Sequence, residues 1–340
     1  MENKRNYAGA ALSFLMKVVA SAPGNVKIFG EHAIVYGKPA ISMAINRRCR
    51  VSVEKRGDDR VVVRSKGRFS DYTVIKIDNE VTLISNRRNA FFKYVEVAVE
   101  KIFNYLDDSC GISLIIDSDL PEAAGLASSA AVTVATIVSL SKLLGYELSR
   151  EEVSKLGHEV EVEVQGAASK MDTLMATYGG LLYITPDSFK RIDRELRFIV
   201  INSKEKRSTK DLVAKVRMLR NKYPEIFKSI IDAIGKVVEK GRKALIYGGD
   251  EEVGYLMNIN HGLLESLGVS TPKLNEIVHV TRELGALGSK LTGAGGGGCI
   301  IAYAPMREHY VLEEIKKLKY SSFLANVTEG VKVESCEVRG

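Results

Sequence analysis

The sequence predicts an α+β protein built as two successive domains, and three observations carry that reading. Short apolar runs with strand character recur at 25–29, 41–63, 112–116, 197–202 and 300–304. Helical periodicity separates them and dominates the second half, with stretches near 208–221, 224–242, 250–267 and 272–286. Between the halves, Thr185-Pro186-Asp187 has turn chemistry and marks a boundary. At 340 residues, 45% apolar and 27% charged, the chain can bury a core in each half.

Taken in order, residues 1–15 imitate a secretory signal, with Lys4 and Arg5 before an apolar run and Ala20-Ser21-Ala22 after it. Lys17 interrupts that run, and Met16 opens a strand-like segment. Residues 1–15 are therefore read as an extension and Met16 as the functional start. No segment approaches the roughly 18 apolar residues of a membrane helix, so no membrane partner is expected.

The stretch 23–40, PGNVKIFGEHAIVYGKPA, reads as a Pro23-Gly24 turn, a short strand and a tight exit at Gly30. Strand alternation puts Asn25 and Lys27 on one face, Val26 and Ile28 on the other. Glu31 and His32 either face a ligand or belong to a solvated loop. Arg47, Arg48 and Arg50 are assigned to a solvated strand face. Residues 89–104 repeat apolar side chains at helical spacing through Phe92, Val95, Val99, Ile102 and Phe103.

The central stretch 119–135, DLPEAAGLASSAAVTVA, has the layout of an anion site. Pro121 ends the preceding strand. Ala123, Ala124, Gly125, Leu126, Ala127, Ser128 and Ser129 then form a loop whose mostly small side chains let backbone N–H groups approach a phosphate. The helix that follows adds unpaired donors and its positive dipole end. Ser128 and Ser129 either cap that helix or reach a metal held by the phosphates. The alternative is an ordinary Ser-capped helix after a Gly turn.

Ser149 and Glu152 form a capping box that opens a helix over 149–166, although 159–164 also alternates like a strand. On that helix Glu161 points away from Glu159 and Glu163. Asp172, just beyond small residues, is the candidate catalytic carboxylate; its alternative is an N-cap. Thr271-Pro272 opens the last helical stretch. The tract 291–299, LTGAGGGGC, contains G-x-G-x-x-G but in the order helix, loop, strand, which rejects a dinucleotide fold. Its glycines imply close approach to some other group.

A net charge of +7 suits anionic small molecules, and no basic block interleaved with aromatics points to nucleic acid. Four scattered cysteines without C-x-x-C spacing fit a reducing cytoplasm, with neither a disulfide framework nor a zinc site. Neither a Walker P-loop nor the protein-kinase motifs are present.

These motifs together resemble those of GHMP-superfamily small-molecule kinases, most closely the archaeal-type mevalonate kinases. PGNVKIFGEHAIVYGKPA is similar to their first motif, PEAAGLASSAAV to the second and SKLTGAGGGGC to the third. GHEVEVEVQGAASKMDTLMATYGG resembles the segment with their catalytic aspartate. The order is right, and the matches span nearly all of the chain from Met16. The resemblance implies a GHMP kinase fold: an N-terminal ATP-binding domain, 16–185, like the second domain of ribosomal protein S5, and a ferredoxin-like C-terminal α/β domain, 186–340. It implies ATP and Mg2+ as cofactors and mevalonate as substrate. Asp172 matches the aspartate that activates the attacking hydroxyl, and Ser129 and Glu161 match the magnesium ligands. Gly125–Ser129 matches the phosphate loop, and Pro121, Ala123 and Ala124 ahead of it fall with it at ATP-binding positions. Asn25, Glu31, His32, Thr177, Gly293 and Ala294 fall at substrate-lining positions.

Two departures stand out. Family members carry Lys directly after Pro-Gly, where this chain has Asn25, and Lys27 is expected to supply that catalytic cation from the same strand face. Ala127 replaces a glycine of the usual GLGSSA, and GLASSA also resembles mevalonate diphosphate decarboxylases. A kinase or decarboxylase for another mevalonate derivative, and a catalytically silent ligand-binding relative, therefore stand as alternatives. The sequence leaves the oligomeric state open, a homodimer included.

Overall fold

The computed structural model describes residues 16–66, 72–78, 80–84, 90–121, 124–166, 168–205 and 209–338. The first half is β1 (Met16–Phe29), a 3-10 turn (Ala33–Tyr36), β2 (Ala40–Lys55), β3 (Arg60–Ser65), β4 (Tyr72–Asp78), β5 (Glu80–Ile84), α1 (Ala90–Leu106), β6 (Ile112–Ser118), α2 (Ser128–Leu143), α3 (Arg150–Gln165) and α4 (Met171–Tyr178). Then come β7 (Leu181–Ile184), β8 (Phe189–Ile192), β9 (Arg197–Asn202), α5 (Thr209–Lys222), α6 (Pro224–Tyr247), α7 (Asp250–Ser266) and α8 (Pro272–Glu283). The chain closes with β10 (Gly288–Thr292), β11 (Cys299–Tyr303), α9 (Glu308–Lys317), β12 (Ser321–Asn326) and β13 (Lys332–Val338).

The strands form two sheets. The larger runs β13-β1-β2-β6-β3-β4-β5, with the β7–β8 hairpin joined to β2. The smaller, β10-β11-β9-β12, is antiparallel throughout. Its chain order β9, β10, β11, β12 in the spatial order 4-1-3-2 is that of a ferredoxin-like unit, with four helices in the first crossover instead of one. The expected division at 185/186 falls inside the β7–β8 hairpin, and β13 returns to pair with β1, so residues at both ends of 186–340 belong to the first sheet.

Local signals explain the helices. Ser149 and Glu152 make the full capping box of α3, which settles the ambiguous 159–164 run as helix. Thr271 accepts from the Leu274 N–H ahead of Pro272 in α8. The apolar residues of α1, including Val95, Val99 and Ile102, join Val132, Ile137 and Leu140 of α2 in the core over the large sheet. A second core, containing Ile199, Leu291 and Ile300, lies on the small sheet under α5–α9.

Two local expectations fail. Pro23-Gly24 is not a turn: it lies within β1, where the pairing with β2 shifts register. There Asn25 N–H leaves the ladder and donates to Leu126 O at 3.0 Å. Gly24 permits this, since a Cβ would sit 2.6 Å from that same carbonyl. Arg48 is not solvated either. It is buried and donates to Ser21 Oγ and to the carbonyls of Ser21, Glu329 and Gly330, tying the segment before β13 to the sheet. Four acceptors in fixed positions stand in for the water it loses.

Candidate active site

The site forms where β1, the loop before α2, α3, α4 and β10 meet. β1 enters it with Asn25 and Lys27 on one face, as alternation requires, and both reach the same atom. Lys27 Nζ lies 2.6 Å from Asp172 Oδ1, and Asn25 Nδ2 donates to that oxygen at 3.0 Å. Ser42 Oγ donates to Asn25 Oδ1 at 3.3 Å, which orients the amide. Lys27 is buried while Asp172 keeps part of its surface open. The N-cap of α4 is Lys170, so Asp172 sits in the first turn and does not cap the helix.

The loop 124–127 crosses behind this pair and delivers the chain to α2. Ala127, at φ 59°, is the residue before the helix and offers no side-chain cap. The expectation that Ser128 or Ser129 caps α2 is therefore corrected: both are already inside the helix, because the left-handed residue makes the turn by itself. Ser129 Oγ is spent on Glu161 Oε1 at 3.1 Å. Pro121, Ala124, Gly125, Leu126 and Ser128 line the same crossing, with Ala124, Gly125 and Leu126 buried. Ala123 lies outside the described residues.

Glu161 is the buried glutamate of α3, and its carboxyl is pushed up to about 8, first by burial and then by the charge of Asp172. The hydrogen bond from Ser129 and the charge of Lys27 pull the other way. Glu161 thus sits buried beside a second carboxyl, Asp172, which Lys27 already pairs. Tyr94 of α1 shares this corner, its phenol raised first by burial and then by the charge of Glu161.

The second sheet closes the other side. The glycine tract ends at Gly298, φ +80°, where a Cβ would lie 2.8 Å from Ala124 O. The close approach expected of this tract is to the loop before α2 at Gly298, and to the carbonyls of Val269 and Glu205 at Gly295 and Gly297. Ala294 O meets His32 Nε2 at 2.9 Å, and burial lowers the pKa of His32. Gly293 makes the bend between Thr292 and Ala294 at φ +82°. Thr177 is fully buried in α4, and its hydroxyl has no partner among the described residues.

Two residues that sequence reasoning passed over complete the frame. Thr292 Oγ1 accepts from Lys27 N–H at 2.8 Å and donates to Lys27 O at 3.2 Å. Lys290, fully buried, is ion-paired with Glu31. Burial pushes Glu31 up and Lys290 down, and their contact opposes both shifts. Strand spacing in SKLT puts Lys290 and Thr292 on one face, which was the available signal.

Comparison with known proteins gives this geometry its context. The profile of the GHMP kinases N terminal domain matches residues 93–180, and that of the GHMP kinases C terminal matches 242–318. A galactokinase galactose-binding signature matches 13–55. The mevalonate kinase of Thermococcus sibiricus is 42% identical over 329 residues, covering 94% of this chain and 99% of that protein. The chain belongs to the GHMP kinases. The mevalonate kinase of Saccharolobus solfataricus is 35% identical, covering 92% of this chain and 96% of its own. Among solved structures, that of Methanococcus jannaschii mevalonate kinase superposes with a TM-score of 0.77 at 32% identity, covering 92% of this chain and 98% of that one. The L. major mevalonate kinase solved in complex with R-mevalonate gives 0.76 at 27% identity, covering 91% and 95%. A Lactococcus lactis galactokinase at 19% identity shares the fold, with a TM-score of 0.77.

Proposed function

We propose that this chain transfers the γ-phosphoryl group of ATP to the 5-hydroxyl of mevalonate, a step of isoprenoid biosynthesis, releasing ADP and 5-phosphomevalonate. The 42% identity to a mevalonate kinase over nearly the full length supports the substrate, and the convergence of Lys27 and Asn25 on Asp172 carries the chemistry. Asp172 accepts the proton of the attacking hydroxyl, whose oxygen forms the new P–O bond as the bond to ADP breaks. Asn25 holds the carboxylate in place. Lys27 meets the negative charge on the transferring group, and the N-terminus of α2 with its loop receives the nucleotide phosphates.

The residues present fit a magnesium ion. Glu161 is raised to about 8 by burial and by the charge of Asp172, and Ser129 and Glu161 offer the hard oxygens magnesium prefers. Among the described residues no group of three His, Cys, Asp or Glu could hold a metal ion by itself. When bound, magnesium neutralises phosphate charge. His32, Thr177, Gly293 and Ala294 line the side expected to take mevalonate.

The four cysteines are scattered without C-x-x-C spacing, which supports a reducing cytoplasm as the working compartment. Among the described residues no helix is long and apolar enough to cross a membrane.

The test is purified protein with ATP, Mg2+ and a panel of mevalonate, its phosphates and galactose, with the product position assigned by phosphorus NMR. Phosphorylation of mevalonate at carbon 5 supports the reading; turnover confined to another member of the panel overturns it.

A further inference from the structure

β10 holds the backbone of Lys27 at two points. Its residues Lys290 and Thr292, on the same strand face, reach across from the small sheet to β1. Thr292 takes the Lys27 N–H and returns a hydrogen bond to its carbonyl. Lys290 Nζ lies 3.5 Å from that carbonyl, donates to Leu291 O at 2.7 Å and pairs with Glu31. Glu31 and Lys290 are both buried from solvent, and the second carboxylate oxygen of Glu31 has no hydrogen-bond partner among the described residues. Lys27 lies on the same chain just before the Gly30 bend that leads to Glu31, and its charge acts on Glu31.

This arrangement sets up a competition. Lys27 has three carboxyls within electrostatic reach, Asp172 and Glu161 in the site and Glu31 behind it. A cation drawn back toward Glu31 would leave both Asp172 and the transferring phosphoryl group. Lys290 removes the competitor, because the Glu31–Lys290 pair carries no net charge.

We propose that Lys290 is a positioning residue for phosphoryl transfer: by occupying Glu31 and the Lys27 carbonyl, it keeps the Lys27 ammonium committed to Asp172. The proposal rests on the reading of Lys27 and Asp172 as the catalytic pair. It acts on charge placement rather than on nucleotide binding, so it separates from a merely structural role. A buried pair that only holds the two sheets together would change the folded fraction and not the rate of each folded molecule.

The experiment compares Lys290→Met, Lys290→Gln and the double variant Lys290→Met with Glu31→Gln against wild type, using kcat per folded molecule, KM for ATP and Tm. Replacing both members of a buried pair is often tolerated where removing one is not, so the double variant is expected to fold; Lys290→Gln keeps a donor for Glu31 should Lys290→Met not fold. The expected result is a fall in kcat of about 10²-fold in each single variant, with KM for ATP within about threefold, and recovery of at least about tenfold in kcat in the double variant. Single variants with wild-type kcat and a lowered Tm overturn the proposal, as does a double variant no faster than Lys290→Met. Lys27→Met in the same series separates the two readings. If it is kinetically silent, the catalytic pair itself is wrong; if it is crippled while the Lys290 variants lose only stability, only the positioning role fails.

Discussion

Lys27 Nζ sits 2.6 Å from Asp172 Oδ1, across 145 positions of sequence, and the amide of Asn25 shares that oxygen. The carboxylate is thus held by a cation and a neutral donor from one strand face. Asp172→Asn is expected to fold with a Tm close to wild type and to lose about 10²–10⁴ in kcat, because an amide cannot take the proton. Steady-state kinetics beside a melting curve decide it; near-native turnover would return Asp172 to a structural role.

Lys27→Met tests the cation. Charge that grows toward the transition state is stabilised there more than in the ground state, so kcat is expected to fall far more than ATP affinity. Asn25→Lys in the same background should restore part of the rate, since both positions point at one oxygen. A silent Lys27→Met with a crippled Asn25→Ala would reverse the assignment.

Glu161→Gln and Ser129→Ala are expected to raise the Mg2+ concentration needed for half-maximal rate while leaving KM for mevalonate within about threefold. A magnesium titration of each variant reads this directly. An unchanged titration with a raised mevalonate KM would move both residues out of the metal site.

His261 gives a pH dependence of stability. Its Nδ1 accepts from Leu291 N–H at 3.4 Å and its Nε2 meets Asn275 at 3.1 Å, so the ring is used as the neutral form. Burial, then the charges of Arg282 and Lys290, lowers its pKa to about 4 from 6.5. Above pH 6.5 neither folded nor unfolded chain protonates it. As pH falls from 6.5 toward 4 the unfolded chain takes up the proton first, so stability drops there by at most about 3 kcal/mol. Urea unfolding at a series of pH values should show that loss in wild type and a smaller one in His261→Gln; equal slopes in both would exclude the histidine as its source.

Local chemistry made the helices and the motif order legible. The capping box at Ser149, Thr271 before Pro272 and the small-residue loop before α2 each act within a few residues, and all three are where sequence reasoning puts them. Strand alternation likewise placed Asn25 and Lys27 on one face, and helical spacing set Glu161 apart from Glu159 and Glu163, while the family resemblance gave it a role. Period and capping are properties of the chain itself, so a sequence carries them.

What the sequence could not decide depends on neighbours distant along the chain. Arg48 looks like any strand arginine until the carbonyls of Glu329 and Gly330 arrive to bury it. Pro23-Gly24 has turn composition, yet the carbonyl of Leu126 draws the strand straight through it. Lys290 in SKLT carries no sign of burial; only the docking of β10 on β1 brings it to Glu31. The amino acids determined which groups are present and which face each presents. The tertiary structure decided which charges are desolvated and paired, because desolvation is set by whatever covers a residue and not by the residues beside it in the chain.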